Sequence, residues 1–355
     1  ADQAIEHASK MLLLRRVQIF RHLSQQQTDL LVRSFKLHTF WRGDQVIEEG
    51  TEGTTFYVIA SGEVRVIIDG RFMRTLGKNS YFGEKALLFQ EPRTATVEVS
   101  SAQCELWAIE KDAFMSTVKG RMLQQLIQLV RLQDTTVELR DLRKVGTIAP
   151  GVWLVEHAQS GMRYALKRSA KEEGRAPPEV ELLGMNKNPF ILHLVKTFEA
   201  PKCVYMLTEL CTGGELYSAI RAIPGLLSRA QAQFYTASLV LIIEALHERN
   251  VVHRDIKPEN VMLDAQGYLK LIDFGVAKLL PESCTRTCTI CGTAHYMAPE
   301  IMLGHGYSTE VDLWSLGVVL YEFVCGSLPF AECVEDEVEV VKAILQQELT
   351  FPPEL

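Results

Sequence analysis

The apolar residues of this chain follow patterns that predict a helical beginning, a β-rich part and a second helical stretch. Over residues 11–40 they recur every three or four positions, the spacing of amphipathic helices. From Phe40 onward, short β-branched runs at 56–59 and 64–68 alternate with glycines at turn intervals, namely Gly43, Gly50, Gly53, Gly62 and Gly70. This texture is typical of a small β-barrel or jelly roll. Helical spacing returns over residues 118–142.

Length and composition favour an intracellular protein of more than one domain. The chain has 355 residues, is 47% hydrophobic and carries a formal net charge of −7, which argues against general binding to polyanions. Its best apolar run, residues 237–246, contains Glu244 and is shorter than the roughly 18 residues of a membrane span. Eight cysteines without a paired framework and the lack of a signal peptide indicate a reducing cytoplasm. Because the chain starts at Ala1 and not at Met, we expect an N-terminal part to be missing. Attachment of the protein to a membrane through that part is the alternative to a purely cytoplasmic location.

The stretch VVHRDIKPEN at 251–260 carries three groups that phosphoryl transfer to a hydroxyl needs. Asp255 provides a carboxylate for the attacking oxygen, Lys257 a cation for the migrating charge, and Asn260 an oxygen ligand for Mg²⁺. The motifs LIDFG (271–275), MAPE (297–300) and VDLWSLG (311–317) follow in that order. On these motifs the C-terminal part resembles the serine/threonine protein kinases.

The resemblance implies roles for further residues of the large lobe. Asp273 would hold Mg²⁺ together with Asn260, and Asp312 would brace the backbone of the catalytic loop. Thr289 would be a phosphorylation site whose phosphate pairs with Arg254. Its neighbours Cys284, Cys288 and Cys291 have a spacing that some iron–sulfur enzymes use, but no fourth ligand accompanies them, and a redox-sensitive thiol is the alternative interpretation.

The small lobe departs most from the kinase pattern. The phosphate-covering loop reads GTIAPGV, so Gly146 and Gly151 remain, Ile148 replaces the middle glycine, and the spacing to Val152 is one residue short. The strand YALK, with Ala165 and Lys167, resembles the one whose lysine grips the ATP phosphates. We expect its ion-pair partner to be Glu179, with Glu181 as the alternative. Fewer residues separate Lys167 from Glu179 than separate the matching residues of the cyclic-nucleotide-dependent kinases. The sequence alone therefore leaves this ion pair undecided.

Residues 204–214, VYMLTELCTGG, resemble the hinge between the kinase lobes. Thr208 would be the gatekeeper behind the adenine, and the main chain of Glu209 and Cys211 would bind the base. Glu215 and Glu259 match carboxylates that read basic residues on protein substrates. Either glutamate alone is more often an ordinary surface residue, but the two together, each beside a named motif, favour a substrate with Arg or Lys.

Residues 81–97, YFGEKALLFQEPRTATV, indicate an anion site in the β-rich part. Gly83 lets the main chain approach an anion, the helix predicted over 84–89 directs N–H groups at it, and Arg93 adds a forked countercharge. The stretch resembles the phosphate-binding cassette of cyclic nucleotide-binding domains. In that family Glu84 would accept the ribose 2′-hydroxyl and Arg93 would pair with the cyclic phosphate, with Ala86 also lining the site.

Two finer features of the cassette favour cyclic GMP. Family members that bind cyclic AMP usually have alanine after the arginine, so Thr94 indicates a guanine contact, although β-propensity alone could explain it. The segment RLQDTTVEL resembles the cap of apicomplexan cGMP-dependent kinases, in which Gln133 and Asp134 would close over the nucleotide. Their cassette partner here is Lys85, which cannot form arginine's bidentate fork. An exposed polar helix face is the alternative.

These observations predict a multidomain α+β protein: a cyclic nucleotide-binding β-barrel (jelly roll) with flanking helices, followed by a bilobal kinase with an incomplete large lobe. The expected parts are a helical tail of a preceding unit (1–16), the cyclic nucleotide-binding domain (17–120), a cap and linker (121–141) and the kinase domain (142–355). The resemblance implies a cGMP-regulated kinase that uses Mg²⁺ and ATP on Ser/Thr in basic contexts. The alternatives are a nucleotide-sensing scaffold with a dead kinase domain, or a kinase that responds to cyclic AMP. We expect the chain to be a fragment, since the kinase pattern continues beyond Leu355.

Overall fold

The computed structural model describes residues 10–11, 25–89, 92–132, 134–171, 174–186, 188–222, 227–281, 283 and 285–353. The chain divides into two compact units, Ala1–Asp134 and Thr135–Leu355. This division falls inside the linker that we predicted over 121–141. The predicted helical tail 1–16 and much of the periodic stretch after it lie outside the described residues.

The first unit contains two four-stranded antiparallel sheets with the orders β1-β8-β3-β6 and β2-β7-β4-β5. Its elements are α1 (Gln25–Ser34), β1 (Lys36–Trp41), β2 (Gln45–Ile47), β3 (Thr55–Ser61), β4 (Val64–Ile68), β5 (Arg71–Leu76), β6 (Tyr81–Phe82), α2 (Glu84–Phe89), β7 (Thr96–Val99), β8 (Gln103–Glu110), α3 (Lys111–Thr117) and α4 (Gly120–Leu132). The described ladders form a jelly-roll-like pair of sheets and do not close into a barrel. The predicted α+β class is confirmed, and the term jelly roll fits better than barrel.

Alternating burial along the strands forms the core of this unit. On β7, Val97 and Val99 are buried while Thr96 and Glu98 are partly exposed, the period of two of a strand with one face in a core. Val97 and Val99 pack with Ile59 and with further apolar side chains of both sheets.

The second unit has a small lobe built on an antiparallel sheet of order β12-β13-β11-β10-β9, followed by a mainly helical large lobe. Its elements are β9 (Leu142–Ala149), β10 (Val152–His157), β11 (Arg163–Ala170), α5 (Pro178–Met185), β12 (Leu194–Glu199), β13 (Cys203–Thr208), α6 (Leu216–Arg221), α7 (Arg229–His247), β14 (Val251–Val252), β15 (Val261–Leu263), β16 (Leu269–Leu271), β17 (Lys278–Leu279), α8 (Pro299–Met302), α9 (Glu310–Cys325) and α10 (Glu337–Gln346). Single 3₁₀ turns cover Leu139–Asp141, Pro258–Asn260 and Ala294–Tyr296.

Helix α7 is the central support of the large lobe. Ser228 and Gln231 form a reciprocal capping box at its start, so two otherwise unpaired N–H groups gain acceptors. Leu239, Ile242 and Leu246 are buried on one face, as helical spacing of the apolar run 237–246 predicts. Among the described helices, none is long and apolar enough to cross a membrane.

Candidate functional site

The backbone of the loop after β14 is hydrogen-bonded to the side chain of Asp312, which is fully buried on α9. Its two carboxylate oxygens accept the backbone N–H groups of His253 (2.9 Å) and Arg254 (2.8 Å). Arg254 has φ +69°, a left-handed conformation that costs a non-glycine residue free energy unless its surroundings fix it. Asp312 therefore sets the path of the chain just before Asp255, the place where the sequence predicts a brace.

Asp255 accepts hydrogen bonds on both carboxylate oxygens. Oδ1 accepts from the backbone N–H (3.0 Å) and hydroxyl (2.7 Å) of Thr293, and Oδ2 accepts from Asn260 Nδ2 (2.7 Å) and lies 3.0 Å from Lys257 Nζ. Burial acts to raise the pKa of Asp255, but the bonds from Thr293 and Lys257 outweigh it and hold the pKa below its ordinary value. The carboxylate is thus ionised and fixed in direction at neutral pH.

Asn260 and Asp273 carry side-chain oxygen atoms of the kind that bind Mg²⁺. Asn260 donates through Nδ2 to the main chain and side chain of Asp255, which leaves its Oδ1 as an acceptor. Asp273 accepts the Gly275 N–H on Oδ1 (3.0 Å), and its side chain is half exposed. Among the described residues no three His, Cys, Asp or Glu side chains group into a metal site of their own. Two oxygen donors suit Mg²⁺, which is usually bound by one or two protein groups together with substrate phosphates.

Lys167 on β11 forms an ion pair with Glu179 on α5, with Nζ 2.6 Å from Oε1. Its Nζ also lies 3.8 Å from Asp273. Glu179 is buried in the first turn of α5, just after Pro178, whereas the alternative Glu181 is exposed. Because α5 begins at Pro178, the short interval in sequence still places a glutamate opposite the lysine. The ammonium group of Lys167 therefore lies close to the carboxylates of both Glu179 and Asp273.

The predicted phosphate-covering loop is a tight hairpin between β9 and β10. Val152 pairs with Ala149, so only Pro150 and Gly151 form the turn, and Gly151 has φ +76°. Gly146 lies inside β9 and has no positive φ. Ile148 also lies in β9, 48% exposed and without a positive φ, so it does not occupy a glycine-only conformation. The turn is therefore short, and the backbone conformation at Ile148 does not require glycine.

The predicted hinge, residues 204–214, begins within β13 and continues beyond its end at Thr208. Thr208 is buried, pairs with Ala165 across the β11–β13 ladder, and directs its hydroxyl at the Ala165 carbonyl (3.4 Å). The Glu209 N–H donates to the His193 carbonyl (3.0 Å), and the Glu209 carbonyl lies 3.3 Å from the Thr208 hydroxyl. Burial raises the pKa of the Cys211 thiol to about 12, so this side chain stays protonated.

In the first unit, Arg93 lies buried between two glycines. It donates to the main-chain carbonyls of Gly83 (3.1 Å) and Thr55 (2.7 Å). A Cβ at Gly53 would lie 2.1 Å from Arg93 Nε, and one at Gly83 would lie 2.6 Å from its Nη1. Gly83 also has φ +87°, so both space and conformation require glycine there. Burial lowers the pKa of Arg93 from its ordinary value, but an arginine remains charged.

The other cassette residues surround this arginine. Burial raises the pKa of Glu84 at the start of α2, against the nearby positive charges of Lys85 and Arg74. Lys85 Nζ lies 2.8 Å from Asp134 Oδ2, so the structure brings the two predicted cap residues together. Thr94 is exposed. Gln133 and the side chain of Ala86 lie outside the described part.

Two protein families match the chain. Residues 141–353 match the protein kinase domain family, and residues 37–121 match the cyclic nucleotide-binding domain family. The chain belongs to the protein kinase family. Both resemblances drawn from the sequence are confirmed.

The similarity to several relatives extends over more than nine tenths of this kinase chain. It is 46% identical over 362 residues to a cGMP-dependent protein kinase of Toxoplasma gondii, covering 99% of this chain and 36% of that protein. A cGMP-dependent protein kinase of Plasmodium berghei (strain Anka) is also 46% identical over 362 residues, covering 99% and 42%. An isozyme 2 form of the Drosophila melanogaster cGMP-dependent protein kinase is 35% identical over 357 residues, covering 92% and 38%. The chain thus spans well under half the length of these relatives.

In the activation segment of this kinase, Thr289 is exposed while the groups around it are ordered by hydrogen bonds. Arg254 donates to the Val276 carbonyl (2.7 Å) and to the Tyr307 hydroxyl (3.3 Å), and that hydroxyl donates to the Thr289 carbonyl. Lys278 donates to the hydroxyl of the buried Thr287 (2.9 Å). The predicted phosphosite and its arginine are therefore linked through Tyr307. Of the nearby cysteines, Cys288 is exposed, Cys291 is half-buried, and Cys284 lies outside the described residues.

Sequence reasoning missed a buried carboxylate near the predicted substrate-reading glutamates. Glu215 and Glu259 are exposed, and Glu215 accepts from Ser218 (3.2 Å). Glu322 on α9 is buried, accepts the Tyr296 hydroxyl (2.8 Å) and lies 3.4 Å from Arg221. Burial raises its pKa, and the charge of Glu259 adds to that effect. The WSLG motif lies close by in sequence, but only the fold relates Glu322 to Glu259.

Sequence reasoning also missed Thr293 and Arg74. Thr293 supplies two donors to Asp255 from 38 positions downstream. Arg74, on β5, contributes positive charge at Glu84. In the sequence Thr293 stands only as the last residue of CGT, and Arg74 only as the residue before TLG. Neither pattern indicates that Thr293 contacts Asp255 or that Arg74 lies near Glu84.

Proposed function

We propose that this chain is the regulatory and catalytic part of a cGMP-regulated serine/threonine kinase. It would transfer the γ-phosphate of ATP to Ser or Thr of proteins with nearby basic residues. The observation that carries the proposal is the fixed Asp255 carboxylate, bounded by Lys257, Asn260 and Thr293.

The chain's own residues would divide the work of phosphoryl transfer. When bound, Mg·ATP supplies the phosphoryl group and the metal charge, with Asp273 and Asn260 as metal ligands and Lys167 on the phosphates. Asp255 orients the substrate hydroxyl and accepts its proton; because its pKa is low, orientation is the larger contribution. Lys257 lies 3.0 Å from Asp255 and offsets the charge of the migrating group.

Acidic residues support the choice of basic substrates. Glu215 and Glu259 are exposed carboxylates, whereas Glu322 is buried against Tyr296 and paired with Arg221. Arginine or lysine side chains of a substrate peptide gain charge-assisted hydrogen bonds from such carboxylates. Phosphorylation of Thr289 would add an anion near Arg254 and fix the activation segment.

The cassette supports cyclic GMP as the activator. Arg93 and Gly83 form the phosphate end, Glu84 the ribose end, and the exposed Thr94 hydroxyl is an acceptor for the guanine 2-amino group. Lys85 and Asp134, with Gln133, would form the cap. A movement of α4 (Gly120–Leu132) would then alter kinase activity by the usual coupling of about 1–3 kcal/mol, roughly 5- to 150-fold.

The test is transfer of labelled phosphate from ATP to a basic peptide, with and without each cyclic nucleotide. We expect transfer that rises with cyclic GMP at concentrations where cyclic AMP has little effect. Asp255→Asn is the control for contaminating kinases. Cyclic GMP binding without transfer would favour the sensing scaffold, and equal activation by both nucleotides would remove the assignment of cyclic GMP.

A further inference from the structure

A buried ion pair lies directly behind the hinge of the kinase unit. Lys270 on β16 places its Nζ 2.7 Å from Oε1 of Glu209, the residue that follows the gatekeeper. The two side chains are only 12% and 10% exposed. Lys270 belongs to the large lobe, so the pair connects that lobe to the hinge.

The same carboxylate also holds the chain that enters β12. The His193 N–H donates to Glu209 Oε1 (2.8 Å), and the Glu209 N–H donates to the His193 carbonyl (3.0 Å). The segment before it is paired with β16 as well, since Leu192 N–H donates to the Leu271 carbonyl (2.9 Å). Glu209 is thus fixed from both sides by main-chain and side-chain bonds.

The pair also lies beside the second hinge residue. Burial is the main reason that the Cys211 pKa is about 12, but Glu209 raises it further and Lys270 lowers it. Both charges are therefore near Cys211. A buried carboxylate that lost its cation would move toward water or take up a proton, and either change would shift the main chain between Glu209 and Cys211.

We propose that Lys270 is a positioning residue for adenine recognition, which acts through Glu209 to hold the hinge main chain in place for the base of ATP. The inference rests on the proposed phosphoryl-transfer function. Hinge groups contact only the adenine end of ATP. Removing the Lys270 charge should therefore weaken ATP binding and leave the rate of phosphoryl transfer unchanged. A displacement of less than an ångström is enough to lengthen hydrogen bonds beyond their useful range.

The experiment measures KM for ATP and kcat in Lys270→Met, with Lys270→Arg as the conservative variant. We expect KM to rise about tenfold in the methionine variant, with kcat within about twofold, because a uniform binding contact is lost. Arginine should restore KM to within about threefold, since it keeps the charge. Lys171→Met is the matched control: it removes an ion pair with the exposed Glu199 in the small lobe, and its KM should not change.

Competition with two partial ligands separates positioning from a general structural role. Adenosine should compete about tenfold less well in Lys270→Met, whereas inorganic tripolyphosphate with Mg²⁺ should compete equally in both proteins. Equal weakening of both ligands, or of neither, would overturn the inference. If Lys270→Met does not fold, Lys270→Gln is measured against the same two ligands. A wild-type protein that binds no ATP would instead refute the proposed function.

Discussion

The kinase unit and the cyclic nucleotide-binding unit satisfy their key charges in different ways. In the kinase unit, Asp255 is held by Lys257 and Asn260, and Lys167 is paired with Glu179. In the other unit, Arg93 donates to two neutral main-chain carbonyls, those of Gly83 and Thr55. Asp255 and Lys167 each have an oppositely charged partner, whereas Arg93 is hydrogen-bonded to neutral carbonyls that an anion can replace.

The difference matches two different tasks. Catalysis gains most from groups that need no rearrangement when charge develops, because reorganisation adds to the barrier. A sensing site must instead distinguish two states, since a ligand shifts an equilibrium only by its differential affinity. A cyclic phosphate offers Arg93 charge-assisted bonds, which are about twice as strong as those to neutral carbonyls. Changes to Asp255 should therefore affect turnover, and changes in the cassette should affect the response to the cyclic nucleotide.

The largest expected effect concerns Asp255. Asp255→Asn keeps the size of the side chain but removes the charge and the proton acceptor, so kcat should fall by about 10²- to 10⁴-fold. ATP affinity, measured by calorimetry, should change little because Lys167 and Asp273 are untouched. Turnover within tenfold of wild type in the pure variant would show that the carboxylate is not the catalytic group.

A smaller effect is expected for Thr94, and it should be selective. Thr94→Ala removes the acceptor for the guanine 2-amino group, and leaving that donor unpaired costs about 1–3 kcal/mol. Cyclic GMP should then bind roughly five- to 140-fold more weakly, at 1.4 kcal/mol per decade. Cyclic AMP has no such donor, so its affinity should stay within about threefold. Thr94→Ser, which keeps the hydroxyl, is the control, and parallel weakening of both nucleotides would show that Thr94 only supports the strand.

The parts that sequence predicted best are those whose partners lie close in the chain. Asp255, Lys257 and Asn260 fall within six positions, and one 3₁₀ turn brings them together. The short β-rich runs separated by glycines at turn intervals likewise predicted the strands of the first unit. Lys270 and Glu209 are 61 positions apart, and no local pattern indicates that they pair. Long-range pairs of this kind depend on how lobes pack, which a single sequence does not display.

A gain rather than a loss is expected from lengthening the β9–β10 turn. Inserting one glycine between Pro150 and Gly151 restores the spacing that the kinase pattern expects, so main-chain N–H groups can reach the phosphates. One added hydrogen bond at about 0.5–1.5 kcal/mol should improve ATP affinity roughly twofold to tenfold. Ile148→Gly is the control, because Ile148 lies in a strand without a positive φ and should change affinity little. A larger gain from Ile148→Gly than from the insertion would show that the side chain, and not the loop length, limits binding.

The smallest expected effect concerns the ion pair of the cap. Lys85 and Asp134 are 19% and 25% exposed, so their 2.8 Å contact is only partly shielded from water. Pairs of this kind typically contribute about 0.2–1 kcal/mol. Lys85→Met should therefore speed the dissociation of cyclic GMP by up to about fivefold, measured with a fluorescent analogue in stopped flow.

Two further variants decide whether the cap pair, rather than charge in general, causes that change. Lys85→Arg can form the bidentate fork that lysine lacks, so it should slow dissociation relative to wild type. Arg65→Met removes the ion pair with Glu98 on the β4–β7 ladder and should leave the rate unchanged. Because the pair is partly exposed, high salt should reduce the difference between Lys85→Met and wild type. A difference that survives high salt would mean that Lys85 acts by packing under the cap and not by pairing with Asp134.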